Sequence, residues 1–153
     1  MSPRETEGCI FCEIVRGEEK AAVVYEDVSF VAFMDRNPIN EGHLLVLPKT
    51  HYETLFEMPV EDVGPLFTKV VYLAAAVREA MKADGINIGQ NNGRAAHQIV
   101  PHVHVHIIPR YQDDSPEGRW PSRRPASLEE LEAAAGRIRT SAEALPTSSA
   151  PRE

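Results

Sequence analysis

The sequence is poor in cysteine and has no long apolar run. Its two cysteines, Cys9 and Cys12, are so close together that a metal-binding or redox pair is favoured over a structural disulfide. No apolar stretch approaches the roughly 20 residues that a membrane helix needs. The segment Met1–Gly8 is polar and acidic and lacks the apolar core of a signal peptide. These absences predict a cytoplasmic protein without a membrane partner.

Basic residues are in the minority as well. The chain has 16 lysines and arginines against 23 aspartates and glutamates, which gives a net charge of −7. This balance argues against a protein that coats the backbone of nucleic acid. It is compatible with a small anionic ligand, because backbone N–H groups at a helix N-terminus or in a loop bind phosphate locally. The basic cluster Ser122–Arg124 is either a solvated loop or a site that steers such a ligand.

Length and apolar patterning predict one α+β domain. The 153 residues, 42% of them hydrophobic and 25% charged, are typical of a globular protein with a single core. The pattern predicts a five-stranded antiparallel sheet, one long helix and short helices near the ends of the chain. The predicted helices cover Cys9–Arg16, Val60–Asp84 and Leu128–Ala144, and the predicted strands cover Ala21–Glu26, Val28–Met34, His43–Leu47, Ile86–Gln90 and Val100–Ile108.

Local signals set the ends of these elements. Gly85 is predicted to take the C′ position after the long helix, and Ser127 with Glu130 fits a capping box before the last helix. We expect a flexible segment at 1–8, a domain at 9–144 with a core at 9–110 and an extension at 111–144, and a disordered tail at 145–153.

Three of the six histidines occupy alternate positions near residue 100, in the run His102-Val-His104-Val-His106. Alternate residues of a strand point to the same face, so the three imidazoles share one face and the valines the other. Imidazole is a base, a nucleophile or a metal ligand near neutral pH. The pattern is therefore typical of nucleophilic catalysis or of a metal site, and only a chance run of half-buried strand histidines would make it inert.

The cysteine pair has the C-x2-C spacing of a zinc knuckle. Two further ligands would complete a Cys2His2 site, and His51 together with one of the three histidines is the natural candidate. Such a site is closed and structural, without an open position for catalysis. A redox pair and two unpaired core thiols are the alternatives.

The run of histidines resembles the signature of the histidine-triad superfamily of nucleotide-binding and nucleotide-hydrolysing proteins, in which apolar residues separate and follow three histidines. The resemblance extends to the surrounding sequence and covers Cys9–Arg110 in the right order. The matching segments are Ile10-Phe11, Val31–Asp35, His43–His51 and Asn91-Asn92-Gly93 followed by Gln98-x-Val100-x-His102.

The resemblance implies a role for each matching position. His104 would be the nucleophile that attacks an α-phosphate, and His106 would contact phosphate oxygens and help to protonate the leaving group. Gln98 would hold a phosphate oxygen, Asn91 would support the leaving-group side, and Asp35 would accept hydrogen bonds from the ribose hydroxyls.

The resemblance also implies where the base and the metal bind. Phe11, Ile14 and Phe33 would form an apolar slot for the base, and His102 would join Cys9, Cys12 and His51 around a structural Zn²⁺. His97 and Ile99 depart from the family pattern beside the phosphate loop. His43 is interpreted as structural or exposed.

The resemblance therefore implies a zinc-containing homodimer, with the long helix and one strand at the interface. It would act as a hydrolase or transferase on a nucleoside phosphate derivative, most simply a purine phosphoramidate or a dinucleoside polyphosphate. Two rival functions are a nucleotide-binding regulatory module with weak activity and a hydrolase whose catalytic zinc is held by the three histidines.

Overall fold

Five antiparallel strands form the sheet that the sequence predicts. The computed structural model describes residues 7–115 and 119–146. The strands are β1 (Val23–Glu26), β2 (Phe30–Met34), β3 (Leu44–Pro48), β4 (Gly85–Gln90) and β5 (Val105–Arg110), in the spatial order β1-β2-β3-β5-β4. The α+β class and the antiparallel sheet are confirmed, and β4 and β1 form its two edges.

Three helices accompany the sheet, together with single 3₁₀ turns at Leu55–Glu57 and Arg94–Ala96. They are α1 (Ile10–Val15), α2 (Val60–Met81) and α3 (Leu128–Ala144). Helices α2 and α3 pack together in one core with the side chains of Ala32, Met34 and Val46. The neighbouring strand residues Val31, Phe33 and Leu45 point the other way and pack with α1. The sheet thus separates a large helical core from a smaller cluster under α1, as strand alternation requires.

The long helix ends earlier than predicted. It stops at Met81, and Lys82 rather than Gly85 takes the left-handed conformation after it, with φ 51°. Strand pairing explains the difference, because the N–H of Asp84 bonds to the carbonyl of Arg110 and Gly85 already opens β4 opposite that residue. The assignment of Gly85 as the C′ glycine was therefore wrong.

The strand that carries the histidines starts later than predicted. Regular pairing begins at Val105, because the N–H of Val103 bonds to the carbonyl of Tyr52 instead of joining the ladder. The alternation of faces nevertheless extends back through the preceding segment. Val103, Val105 and Ile107 all lie in the helical core, so the three histidines face the opposite side as predicted.

The last helix follows its sequence signal. The hydroxyl of Ser127 accepts from the N–H of Glu130, whose carboxylate accepts from the N–H of Ser127 in return. Residues 1–6 and 147–153, most of the segments predicted to be flexible or disordered, lie outside the described residues. Among the described residues, no helix is long and apolar enough to cross a membrane.

Candidate active site

A cavity of about 800 Å³ opens on the face of the sheet that carries α1 and the histidines. It brings together all but one of the residues that the sequence assigned to nucleotide binding and catalysis. Those that line it are Phe11, Ile14, Phe33, Asp35, Asn91, His104 and His106. The exception is Gln98.

In the His104 ring, Nδ1 makes a hydrogen bond to the backbone, and Nε2 is available for chemistry. Its Nδ1 lies 2.7 Å from the carbonyl oxygen of His102, and because a carbonyl only accepts, Nδ1 carries the proton. The unprotonated Nε2 therefore keeps its lone pair. Burial lowers the pKa of His104, and the ring of Phe11 packs edge-on against it with centroids 5.0 Å apart. A neutral imidazole with an available lone pair is a competent nucleophile near neutral pH.

His106 faces a histidine that the sequence did not place in the site. Its Nδ1 lies 2.9 Å from Nε2 of His43, which is fully buried. Burial is the largest cause that lowers the pKa of His106 to about 4 and that of His43 to about 3, so both rings are neutral at pH 7. The interpretation of His43 as structural or exposed missed this contact, since it depends on the register between β3 and β5.

Asp35 is buried at the end of β2 and each of its oxygens is bonded. Oδ1 accepts from the N–H of Asn37 at 2.9 Å, and Oδ2 accepts from Nη1 of Arg123 at 2.9 Å. Nε2 of His43 lies 3.5 Å from Oδ2. Arg123 belongs to the basic cluster Ser122–Arg124, whose side chains at 123 and 124 line the cavity. All three residues of the cluster are exposed on a loop, as the first interpretation predicts, and two of them also border the cavity.

Gln98 and Asn91 occupy different environments. The side chain of Gln98 is buried, with Oε1 accepting from the N–H of Gly93 at 2.6 Å. Its Nε2 donates to the carbonyls of Glu53 and Val100. Asn91 lines the cavity, and its Nδ2 lies 3.5 Å from the carbonyl of His97. Gln98 therefore holds the loop together, whereas the amide of Asn91 borders the open space.

The apolar end of the cavity is built by α1 and β2. The rings of Phe11 and Phe33 meet edge to face with centroids 5.4 Å apart, and Ile14 lies one turn further along α1. Both phenylalanines are almost fully buried by the surrounding chain. A flat aromatic ligand would cover what remains of this apolar surface, which is a common feature of small-molecule sites.

A second cluster, adjacent to the first, contains the four predicted metal ligands. Sγ of Cys12 lies 3.2 Å from Nδ1 of His51 and 3.6 Å from Nδ1 of His102, and Sγ of Cys9 lies 3.6 Å from the same His102 atom. All four donor atoms lie within 4.8 Å of one another. Donor atoms on a tetrahedral zinc ion are separated by about 3.3–3.8 Å at normal bond lengths. The four residues fit a Cys2His2 zinc site.

The hydrogen bonds around this cluster orient its ligands. Nε2 of His102 donates to the carbonyl of Pro48 at 2.8 Å, which leaves Nδ1 unprotonated toward both sulfur atoms. Such an outer hydrogen bond is typical of a metal-bound imidazole. Without a cation, burial raises the pKa of the Cys12 thiol to about 12, so a positive ion is what would make two adjacent thiolates stable here.

Asp35, His43 and His106 form another group of possible metal ligands. The 2.9 Å separation of the two histidine nitrogens is a hydrogen-bond distance and is shorter than the spacing of about 3.3 Å between two nitrogen ligands on a tetrahedral zinc ion. This group is therefore a hydrogen-bonded network.

Comparison of the sequence with known protein families assigns the chain to a family. A sequence model of the HIT domain matches residues 16–113. The chain belongs to the HIT family. An uncharacterised HIT-like protein of Methanocaldococcus jannaschii is 47% identical over 123 residues, which cover 80% of this chain and 95% of that relative. An adenosine 5′-monophosphoramidase of Schizosaccharomyces pombe is 41% identical over 129 residues, 82% of this chain and 91% of the relative.

A solved HIT structure has the same fold. The zinc-bound histidine triad family protein of Mycobacterium smegmatis superposes with a TM-score of 0.80 at 36% identity, over 91% of this chain and 96% of that one. The HIT domain match ends at residue 113, so Arg123 and α3 lie beyond it.

Proposed function

We propose that this HIT protein cleaves nucleoside phosphate derivatives at the α-phosphate through a covalent nucleotidyl-histidine on His104. The observation that carries the proposal is the bond from His104 Nδ1 to the His102 carbonyl, which leaves a neutral nucleophilic nitrogen in a cavity with an apolar end. Family membership supports a nucleotide hydrolase or transferase in general. The phosphoramidase activity named for the S. pombe relative supports phosphoramidates as substrates, with dinucleoside polyphosphates as the other candidate class.

The reaction would run in two steps. The lone pair of His104 Nε2 attacks the α-phosphorus, and a P–N bond forms as the bond to the leaving group breaks with its electron pair. His106, neutral in the free site, donates a hydrogen bond from Nε2–H to the leaving group and so helps a water proton to reach it. Water then attacks the same phosphorus and the P–N bond breaks. The nucleoside monophosphate is released, and the hydroxide left by the first step takes up the proton of the attacking water.

The remaining cavity residues would bind the nucleotide. Phe11, Ile14 and Phe33 would hold the base, for which a purine is the expected ligand. Asp35 would accept from the ribose hydroxyls, and Asn91 would contact the leaving-group side. For Gln98 we keep the predicted phosphate contact as a proposal. Both ends of its amide now bond to the backbone, so the contact requires the side chain to exchange one of these partners.

We further propose that Cys9, Cys12, His51 and His102 hold a structural Zn²⁺. The donor spacing and the zinc-bound structure from M. smegmatis support this. Four protein ligands leave no open position, so the ion would tie α1 to the loops before β5 and after β3 and thereby shape the base slot. The rival arrangement, a catalytic zinc held by all three histidines, gains no support, because His104 and His106 make other bonds.

A homodimer through α2 and β4 is the expected assembly. Val71 on α2 is 65% exposed and Ile88 on β4 is 46% exposed. In the described part of the chain, β4 is an edge strand that pairs only with β5. Unpaired edges and exposed apolar side chains are features that association would cover. Light scattering on wild type and on Ile88→Lys would report the subunit number, and a wild-type monomer would rule the assembly out. Cytoplasmic location stays a prediction.

Steady-state turnover tests the activity against the alternative of a regulatory nucleotide-binding module. Wild type should hydrolyse adenosine 5′-phosphoramidate or diadenosine polyphosphate, and His104→Ala should bind AMP with similar affinity but show no turnover. AMP binding by wild type without turnover of either substrate would favour the regulatory module.

A further inference from the structure

The charged side chains around the cavity are unevenly distributed. Among the described residues, four cationic side chains line it, Lys20, Arg36, Arg123 and Arg124, against the two acidic side chains of Glu19 and Asp35. The chain as a whole has a net charge of −7, so this cavity is a local excess of positive charge in an acidic protein. Such an excess favours an anionic ligand.

The cations lie at the Asp35 end of the cavity. Arg36 follows Asp35 in the sequence, and its Nη2 is 3.5 Å from the carbonyl of Lys20. The N–H of Arg124 bonds to the carbonyl of Pro38, and the side chain of Arg123 contacts Asp35 directly. The segment 91–100 contributes Asn91, His97, Ile99 and Val100 to the lining but no arginine, lysine or carboxylate.

Arg123 is positioned to bind more than Asp35. Its Nη1 makes both of its hydrogen bonds, to Oδ2 of Asp35 at 2.9 Å and to the carbonyl of Asn37 at 2.7 Å. Among the described residues, neither Nε nor Nη2 of Arg123 has a hydrogen-bond partner. These two nitrogens form the fork that binds a phosphate through two parallel hydrogen bonds.

The four cationic side chains of the cavity differ in whether they have a partner of opposite charge. Arg123 neutralises Asp35, and Arg36 pairs with Glu19. Lys20 and Arg124 form no ion pair in the part of the chain that the structure describes, so two positive charges remain without a counter-ion. A phosphate beside Asp35 would thus meet a cationic surface in spite of the carboxylate.

We infer that the natural substrates of this site carry an additional phosphate on the 2′- or 3′-hydroxyl of the ribose, bound by Arg123 and Arg124. The inference rests on the proposed function, in which Asp35 marks the ribose position. The other ribose hydroxyl would still donate to Asp35, whose oxygens each have room for a second hydrogen bond.

Calorimetric titration of the full-length protein tests the assignment without requiring turnover. The ligands are AMP, ADP, adenosine 2′,5′-bisphosphate and adenosine 3′,5′-bisphosphate. We expect one of the bisphosphates to bind wild type about tenfold or more tightly than AMP, as a bidentate charge-assisted contact would allow. ADP carries its extra charge on the 5′-phosphate chain, so its affinity should exceed that of AMP by a much smaller factor.

Variants locate the effect. In Arg123→Gln and in Arg124→Gln the ratio of the AMP to the bisphosphate dissociation constant should fall toward one. Arg137→Gln is the matched control, because it removes the same charge from an arginine that pairs with Glu41 away from the cavity, and it should keep the wild-type ratio.

The outcomes separate the two proposals. If neither AMP nor either bisphosphate binds, the proposed function fails and the inference fails with it. If AMP binds but neither bisphosphate binds more tightly, the inference alone is overturned. The same holds if ADP exceeds AMP in affinity by as large a factor as the tighter-binding bisphosphate does.

Discussion

Nε2 of His43 lies 2.9 Å from Nδ1 of His106, and this contact fixes where the proton of His106 resides. Nδ1 of His43 accepts from the N–H of Ile39 at 3.1 Å, so in the neutral ring Nε2 carries the proton and donates it to His106. His106 therefore carries its own proton on Nε2. His43 is a positioning residue that orients His106 so that Nε2–H can donate a hydrogen bond to the leaving group.

Replacing His43 should lower kcat more than it changes KM. In His43→Leu the donor to His106 is lost and the tautomer is no longer fixed, so kcat should fall about 10- to 100-fold, less than the roughly 10²- to 10⁴-fold that complete loss of proton-transfer assistance costs. His43→Gln places an amide donor near the same position and should retain more activity. Nitrogen NMR of His106 reports the tautomer directly. Wild-type kcat and an unchanged tautomer in His43→Leu would refute this role.

The stability of the fold should decrease as the pH falls below about 6.5. The pKa of His43 is lowered to about 3 and that of His106 to about 4, mainly by burial, so between these values and the ordinary 6.5 the unfolded chain binds more protons than the folded one. Each group then contributes a slope of about 1.4 kcal/mol per pH unit to the free energy of unfolding, which rises with pH.

Urea unfolding at pH 4.5, 5.5 and 6.5 measures that slope. His43→Gln removes one group with a lowered pKa and should give a shallower slope than wild type by about 1.4 kcal/mol per pH unit. Both proteins contain the same cysteine–histidine cluster, so loss of metal in acid affects them alike. Equal slopes would mean that His43 titrates normally in the folded protein.

Much of the fold follows from local chemistry that the sequence shows. The capping box at Ser127 places the start of α3 at Leu128, and the predicted end at Ala144 is also confirmed. The side that the histidines face follows from the alternation of valine and histidine alone. These features depend on neighbours a few residues away, and side-chain type decides them.

Two contacts between distant residues were not predicted. Arg123 and Asp35 are 88 positions apart, and His43 and His106 are 63 apart, so no local pattern connects them. The pairing of Leu45 with His106 places His43 beside the triad, yet register is set by the assembled sheet. Strand pairing also explains why α2 is shorter than predicted, since Gly85 pairs with Arg110 as the first residue of β4.

Cys9→Ser should release the metal. Purified wild type should contain one zinc ion per chain by elemental analysis, and the variant should contain little, because a Cys2His2 site needs its thiolates. The variant should also unfold at a lower temperature, as α1 loses its link to His51 and His102. Full zinc content in Cys9→Ser would contradict the assigned ligand set.

Gly42 should tolerate no side chain. It has φ +95°, and a Cβ there would come within 2.5 Å of Cγ of Met81. Gly42→Ala should therefore lose about 2–4 kcal/mol of unfolding free energy in urea denaturation, from overpacking and backbone strain. Gly136→Ala, inside α3 with the nearest atom an ordinary 3.6 Å from the new Cβ, should instead gain about 0.5–1 kcal/mol. Equal stabilities of the two variants would refute the contact.

The most direct test of the central claim is intact-protein mass spectrometry after brief mixing with adenosine 5′-phosphoramidate or diadenosine polyphosphate. Wild type or His106→Ala should gain the mass of one adenylyl group, peptide mapping should place it on His104, and His104→Ala should gain nothing. Turnover without any adduct, or an adduct that persists in His104→Ala, would contradict covalent catalysis by His104.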